Sequence, residues 1–320
     1  MPDLTIDQLP PWGYLSTAYR GRGDVVPEPF AGDQDRYRRL VDQLVTDLSM
    51  TFWPRYDMPT RRWVGDARAH AIALGQTDLC LMARLAARLD DPVPGADGKP
   101  ATVSHRFFFE EEDGFKISLH PADPKYPYCA WGESFSYYCD GLPAEVCQAL
   151  SKGFDGPGVT ESGGLCVALK VAMQRPRPYQ LALLTGWTSH TYETAYTADT
   201  PSLVSGHSMQ AALSGCHVFK ENPQSMADPR LREAWARFIV DVGDRRVFAG
   251  VHYPSDSMAS WFCALRALRE FHGEASVPIR SYLWHAITTH SAVYAAVVER
   301  DRQPGSPYGG MLELLEREAA

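Results

Sequence analysis

Apolar residues recur every three or four positions along most of this chain. From Asp35 to Ser49, the residues Tyr37, Leu40, Val41, Leu44 and Leu48 keep helical spacing and predict a first helix. A longer helix is predicted over Asp66–Leu89, dominated by Ala and Leu, with Asp66 as its cap. The same period predicts helices over Ala144–Phe154, Ser162–Gln174, Gly206–Lys220, Pro229–Phe248, Pro254–Phe271 and Pro278–Glu299. Two of these open on Asp228-Pro229 and Tyr253-Pro254, which put proline at a first helical position.

Between the helices the pattern fails in three places. Residues 1–32 carry Pro10-Pro11, Gly21, Gly23, Pro27 and Pro29 and read as an irregular arm. Pro92–Pro100 reads as a loop. From Val103 to Cys139 the helical period is poor: Phe107–Phe109 and Phe115–Leu119 flank Asp113-Gly114, which predicts a small hairpin. That stretch is expected to cover a site as an insertion or cap. Strand alternation appears nowhere else, so the fold expected is an all-α helical bundle. Residues 1–140 are expected to form an arm, helices and an irregular cap packed on a helical core of residues 141–320, in one continuous domain.

Composition narrows the function. The chain has 320 residues, 45% hydrophobic and 22% charged, with a formal net charge of −8. Such a length can bury a sizeable core, and such a charge argues against binding to nucleic acid or to an anionic membrane surface. No apolar run reaches the roughly 18–20 residues of a bilayer span. The nearest, Leu283–Val298, is interrupted by His285, Thr288, Thr289, His290 and Ser291. Met1-Pro2-Asp3-Leu4 lacks a basic and apolar leader, so a cytoplasmic location is expected, or a periplasmic one if a leader has been removed. Seven cysteines show no CxxC or zinc-like spacing. Cys147, Cys166, Cys216 and Cys263 fall in apolar helical stretches and read as buried small hydrophobes, which favours a reducing compartment.

Three clusters carry the chemistry: Lys170-x6-Arg177-Pro178, Ser205-Gly206-His207, and Arg246-x5-His252-x3-Asp256. Lys170 and Arg177 lie two helical turns apart and are expected on one face of a helix that Pro178 ends. An arginine grips two oxyanion oxygens in a fork, and a lysine adds a point charge. Ser205-Gly206-His207 precedes an apolar helical period, at a helix N-terminus suited to an anion. There the Ser205 hydroxyl serves either as a cap or as an anion ligand. Asp256 lies four residues after His252, where a carboxylate fixes the imidazole tautomer and leaves the other nitrogen free to attack. Together they suit a tetrahedral dianion.

In this order and spacing the clusters resemble the signature of the type 2 phosphatidic acid phosphatase superfamily. That group includes class A acid phosphatases, membrane lipid phosphatases and vanadium-dependent haloperoxidases. Val204 stands where the family has proline, and Arg245 where it has serine. The resemblance covers roughly residues 142–271. It implies a helical bundle of the family type and assigns roles to the residues. His252 attacks phosphorus to give a phosphohistidine, held by Asp256. His207 protonates the leaving oxygen and later activates water. Lys170, Arg177, Arg246, Ser205 and the Gly206 amide hold the phosphoryl oxygens, with no metal and no cofactor.

The resemblance leaves three readings: a phosphomonoester hydrolase of the soluble branch acting on a small phosphate ester, a haloperoxidase with vanadate bound to His252, or a non-catalytic oxyanion-binding relative. Two features favour the hydrolase. Val167 and Thr200 stand where haloperoxidases carry halide-site aromatics, and Lys170-x4-Arg175-x-Arg177-Pro178-Tyr179 is close to the acid phosphatase string. Arg245 is expected to point away from the pocket, and the remaining histidines are given no role. The sequence specifies neither substrate identity nor oligomeric state.

Overall fold

The computed structural model describes residues 4–12, 32–95, 100–113, 131–154, 157–188, 198 and 200–320. Helix α1 (Gln34–Thr51) starts on Asp33, whose carboxylate accepts from the Arg36 amide, and buries Tyr37, Leu40, Leu44 and Leu48. A short antiparallel pair follows, β1 (Arg55–Asp57) with β2 (Arg62–Val64). Helix α2 (Ala71–Leu85) is shorter than the predicted span, because both ends tighten into 3₁₀ turns over Asp66–Ala69 and Ala86–Asp90. Asp66 is the first residue of the leading turn, and Gly65 takes the cap position.

Two expectations for the next region are corrected. Part of the expected loop pairs as β3 (Pro92–Pro94) with β4 (Pro100–Ser104). Phe107–Phe109, expected in a hairpin strand, belong to helix α3 (His105–Asp113). The rest of that hairpin, residues 114–119, and most of the expected arm lie outside the described residues. Burial explains the helix: Phe108 and Phe109 are enclosed while Phe107 is exposed, a distribution that the strand reading did not anticipate.

The core is built from α4 (Ala144–Phe154), α5 (Pro157–Met173), α6 (Pro178–Thr185), α7 (Gly206–Glu221), α8 (Pro229–Phe248) and α9 (Pro254–His272). Helix α7 packs against α5, α8 and α9. Two glycines permit its approach to α8: a Cβ on Gly215 would lie 2.3 Å from Ile239 Cγ2, and one on Gly243 2.5 Å from Ser208 Oγ. The fold is all-α, with only these short strand pairs beside the helices among the described residues. No described helix is long and apolar enough to cross a membrane.

The predicted helix over Pro278–Glu299 is two helices, α10 (Val277–His290) and α11 (Ala292–Asp301). Buried Asp244 causes the break by accepting from Ser291 Oγ (2.8 Å) and the amides of Ala292 (2.6 Å) and Val293 (3.3 Å). Those amides are donors of a new helix start, and a carboxylate there replaces the continuing ladder. Helix α12 (Gly309–Ala319) packs back on α9.

Candidate active site

Lys170 and Arg177 do not share a helix. Helix α5 ends at Met173, Gln174 turns with φ +50, and Arg177 is the extended cap of α6 (φ −69, ψ 159). The physical reason is the Arg175-Pro176-Arg177-Pro178 string, since a residue before proline is pushed out of the helical region. The two cations still converge from separate elements: after burial, the charge of Arg177 is the largest influence on the Lys170 ammonium.

Arg177 is fully buried and locked by the segment that follows α6. Its Nε donates to Thr200 O (2.7 Å), Nη2 to Thr200 Oγ1 (3.1 Å), and Nη1 to Val251 O (2.6 Å). Nη1 also lies 3.0 Å from His252 Nε2. Lys170 Nζ donates to the Pro201 carbonyl. Burial, and then Arg177, lower the Lys170 ammonium to about 7.

His252 precedes α9, which Pro254 opens. Its Nδ1 lies 3.2 Å from Asp256 Oδ2, as the spacing predicts. Burial, then the charge of Arg177, hold the imidazole well below 6.5, so it is neutral near neutral pH. A neutral ring that donates from Nδ1 carries its lone pair on Nε2, toward Arg177.

The carboxylate behind His252 is itself held from several sides. Asp256 Oδ2 also accepts from Tyr253 N (3.0 Å) and from the Ser202 hydroxyl, and Oδ1 accepts from Arg175 Nη1 (2.7 Å). Burial alone would raise this carboxyl, but Arg175 and the His252 hydrogen bond outweigh it and hold the group well below the ordinary carboxylate range. Arg175 in turn donates from Nη2 to Asp78 Oδ2 (2.9 Å) and is sandwiched by Trp53 and Tyr253, at 4.4 Å and 3.9 Å from its guanidinium carbon. Asp78 further accepts from Ser255 N (3.2 Å), the Ser255 hydroxyl and Tyr308 Oη (2.7 Å).

Asp78, Ser202 and Tyr308 are the residues that the sequence reading missed. Asp78 left one signal: it sits within the apolar period of α2, between Leu74 and Met82, on a buried face.

Ser205 is the N-cap of α7. Its Oγ accepts from Ser208 N (3.3 Å) and from Ser208 Oγ (2.9 Å), so capping is the role that its hydrogen bonds show. Ser260 Oγ on α9 lies 3.0 Å from the Ser205 carbonyl and ties this turn to the His252 helix. Gly206 has little room for a side chain, since a Cβ would meet Cys166 Sγ at 3.3 Å. His207, in the first turn of α7, is buried. Burial lowers its imidazole well below 6.5, followed by the positive charge of Arg246 and by His252.

Arg245 and Arg246 are both fully buried near the C-terminus of α8. Arg246 lies over the Phe109 ring at 4.7 Å, and Arg245 over Phe108 at 4.9 Å with Nε donating to Asp241 O (3.0 Å). One turn of α3 therefore covers both guanidinium groups. Direct contacts thus join Arg177, His252 and Asp256, and buried Lys170, Arg246 and His207 act electrostatically on the same group, with the Ser205–Gly206 turn tied to the His252 helix. Cations, two neutral imidazoles and a screened carboxylate at such close quarters suit binding of an oxyanion and in-line attack on it.

Comparison with known proteins agrees with this reading of the region. Residues 158–272 match the PAP2 superfamily. No match was found among curated proteins or among solved structures.

Proposed function

We propose, from the premise that residues 158–272 belong to the PAP2 superfamily, that this chain is a metal-independent phosphomonoester hydrolase working through a phosphohistidine. The observation that carries the proposal is the pairing at His252. The Asp256 carboxylate accepts a hydrogen bond from Nδ1–H at 3.2 Å, and Arg177 Nη1 stands 3.0 Å from Nε2, where a phosphoryl oxygen would be held beside the attacking lone pair.

In the first step Nε2 of His252 bonds to phosphorus as the ester P–O bond breaks. His207 gives its proton to the departing oxygen. In the second step His207 takes a proton from water, the water oxygen bonds to phosphorus, and the P–N bond breaks to release phosphate. Asp256 stabilises the imidazole as it acquires positive charge. Lys170, Arg177 and Arg246 offset the charge on the equatorial oxygens.

His207 is neutral in the free site, so it must take up a proton from solvent as the substrate binds. A bound dianion opposes the effect of Arg246 and raises the imidazole toward the charged form. Substrate binding and arming of the acid are thereby one event.

A paired assay on one preparation tests this. Hydrolysis of p-nitrophenyl phosphate should persist in EDTA and be inhibited by vanadate, which resembles the five-coordinate transition state. Turnover restored only by zinc or magnesium would sink the reading. Peroxide-dependent halide oxidation after vanadate loading, without phosphatase turnover, would replace it with the haloperoxidase.

A further inference from the structure

Glu233, His285 and His290 meet on the side of the bundle formed by α8 and α10. Both carboxylate oxygens of Glu233 lie 3.0 Å from His285 Nε2, and Oε2 lies 2.9 Å from His290 Nε2. The ligand atoms of all three residues fall within 4.8 Å of one another. Helix geometry alone does not bring two histidines five apart together, because neighbours on a face are three or four apart. They meet here because His290 is the last residue of α10, just before Asp244 breaks the helix at Ser291.

We propose that these three side chains form a binding site for a divalent transition-metal ion, zinc being the metal of choice, that clamps α10 to α8. Two imidazoles and one carboxylate are the donor set of borderline metals rather than of calcium or magnesium. With metal–ligand bonds of about 2.0–2.1 Å, ligands at a right angle are about 2.9 Å apart and ligands at a tetrahedral angle about 3.3 Å apart. The observed nitrogen–oxygen separations, 2.9 and 3.0 Å, are close to the first of these values. Small side-chain rotations therefore admit the ion without any shift of helix.

Three further observations fit. Tyr282 Oη donates to Arg232 O at 2.8 Å, so α10 is already fixed on α8 next to Glu233. His285 Nδ1 lies 3.2 Å from Thr289 Oγ1, the kind of outer hydrogen bond that orients a ligating imidazole. His285 and Glu233 side chains are 43% and 38% exposed, which leaves water access to the remaining coordination positions.

The test uses the full untagged chain, stripped with EDTA and titrated with Zn²⁺ and Co²⁺ by calorimetry and visible absorption. One equivalent of Zn²⁺ should bind and raise the unfolding temperature, and EDTA should reverse the rise. His285→Ala, His290→Gln and Glu233→Gln should each weaken binding by about tenfold or more. They should also abolish the zinc-dependent rise. Phosphomonoester turnover should be the same with and without the ion, so this result is independent of the reaction proposed above. Absence of zinc binding in the wild-type chain would overturn the site. So would zinc binding of unchanged affinity in all three variants, and each variant's circular dichroism spectrum shows whether it has folded.

Discussion

Arg175 and Asp256 form a fully buried ion pair at 2.7 Å, and the same guanidinium holds Asp78 at 2.9 Å. One arginine thus joins the carboxylate behind the candidate nucleophile to helix α2 and, through Tyr308, to the turn before α12. Removing it leaves two buried carboxylates facing each other. Breaking a buried pair from one side costs about 3–5 kcal/mol. Arg175→Met should therefore lower the urea midpoint strongly. Arg175→Met with Asp78→Asn should recover part of the loss, because one stranded charge is gone. Additive losses in the double variant would mean that the two residues are not coupled.

The histidines should separate by leaving group. His252→Ala should abolish turnover and any trapped phosphoenzyme while the fold persists. His207→Ala should slow esters of poorly leaving alcohols more than esters of acidic phenols, since only the former need a proton in the transition state. Equal losses on both ester types would remove His207 from the acid role.

The adjacent arginines provide a register test. Arg246→Ser should cost about 100-fold or more in kcat/KM, as for loss of a group that stabilises transition-state charge. Arg245, bonded to Asp241 O and lying over Phe108, should behave differently. Arg245→Ser should keep near-normal turnover and instead lower the unfolding temperature. The reverse pattern, read from steady-state kinetics beside thermal unfolding, would put the third motif off by one residue.

Lys170 should set a pH dependence of anion binding. Burial, then Arg177, lowers its ammonium to about 7, whereas His207 and His252 titrate well below 6.5. As pH falls through about 7 the lysine gains its charge while both imidazoles remain neutral. Competitive inhibition by sulfate, whose own charge is constant here, should therefore strengthen toward lower pH, by up to about tenfold per unit. Lys170→Met should flatten that profile between about pH 6 and pH 8. An unchanged slope in the variant would assign the titration to another group.

Much of this protein was legible along the chain. Helices α1, α4, α7, α8 and α9 follow a strong 3.6-residue period with proline, serine or aspartate at their starts, and local hydrogen bonding suffices to place them. The pairing of His252 with Asp256 was equally local, since four residues at a helix start bring the groups together whatever the remainder of the fold.

Distance in sequence hid the rest. Asp78, Ser202 and Tyr308 reach the site from three different elements, and only packing brings them to Arg175, Asp256 and Ser255. The split of α10 from α11 depends on Asp244, 47 residues before Ser291, because competition for helix-start amides is decided by what lies beside them in space. Likewise Glu233 stands 52 residues before His285, a separation that no ligand spacing motif covers. Phe108 and Phe109 became helical because one turn of α3 encloses both rings against Arg245 and Arg246. Periodicity and short-range pairing are properties of the chain itself. Buried charge is not, because an ion leaves water only where the whole tertiary structure supplies its partners.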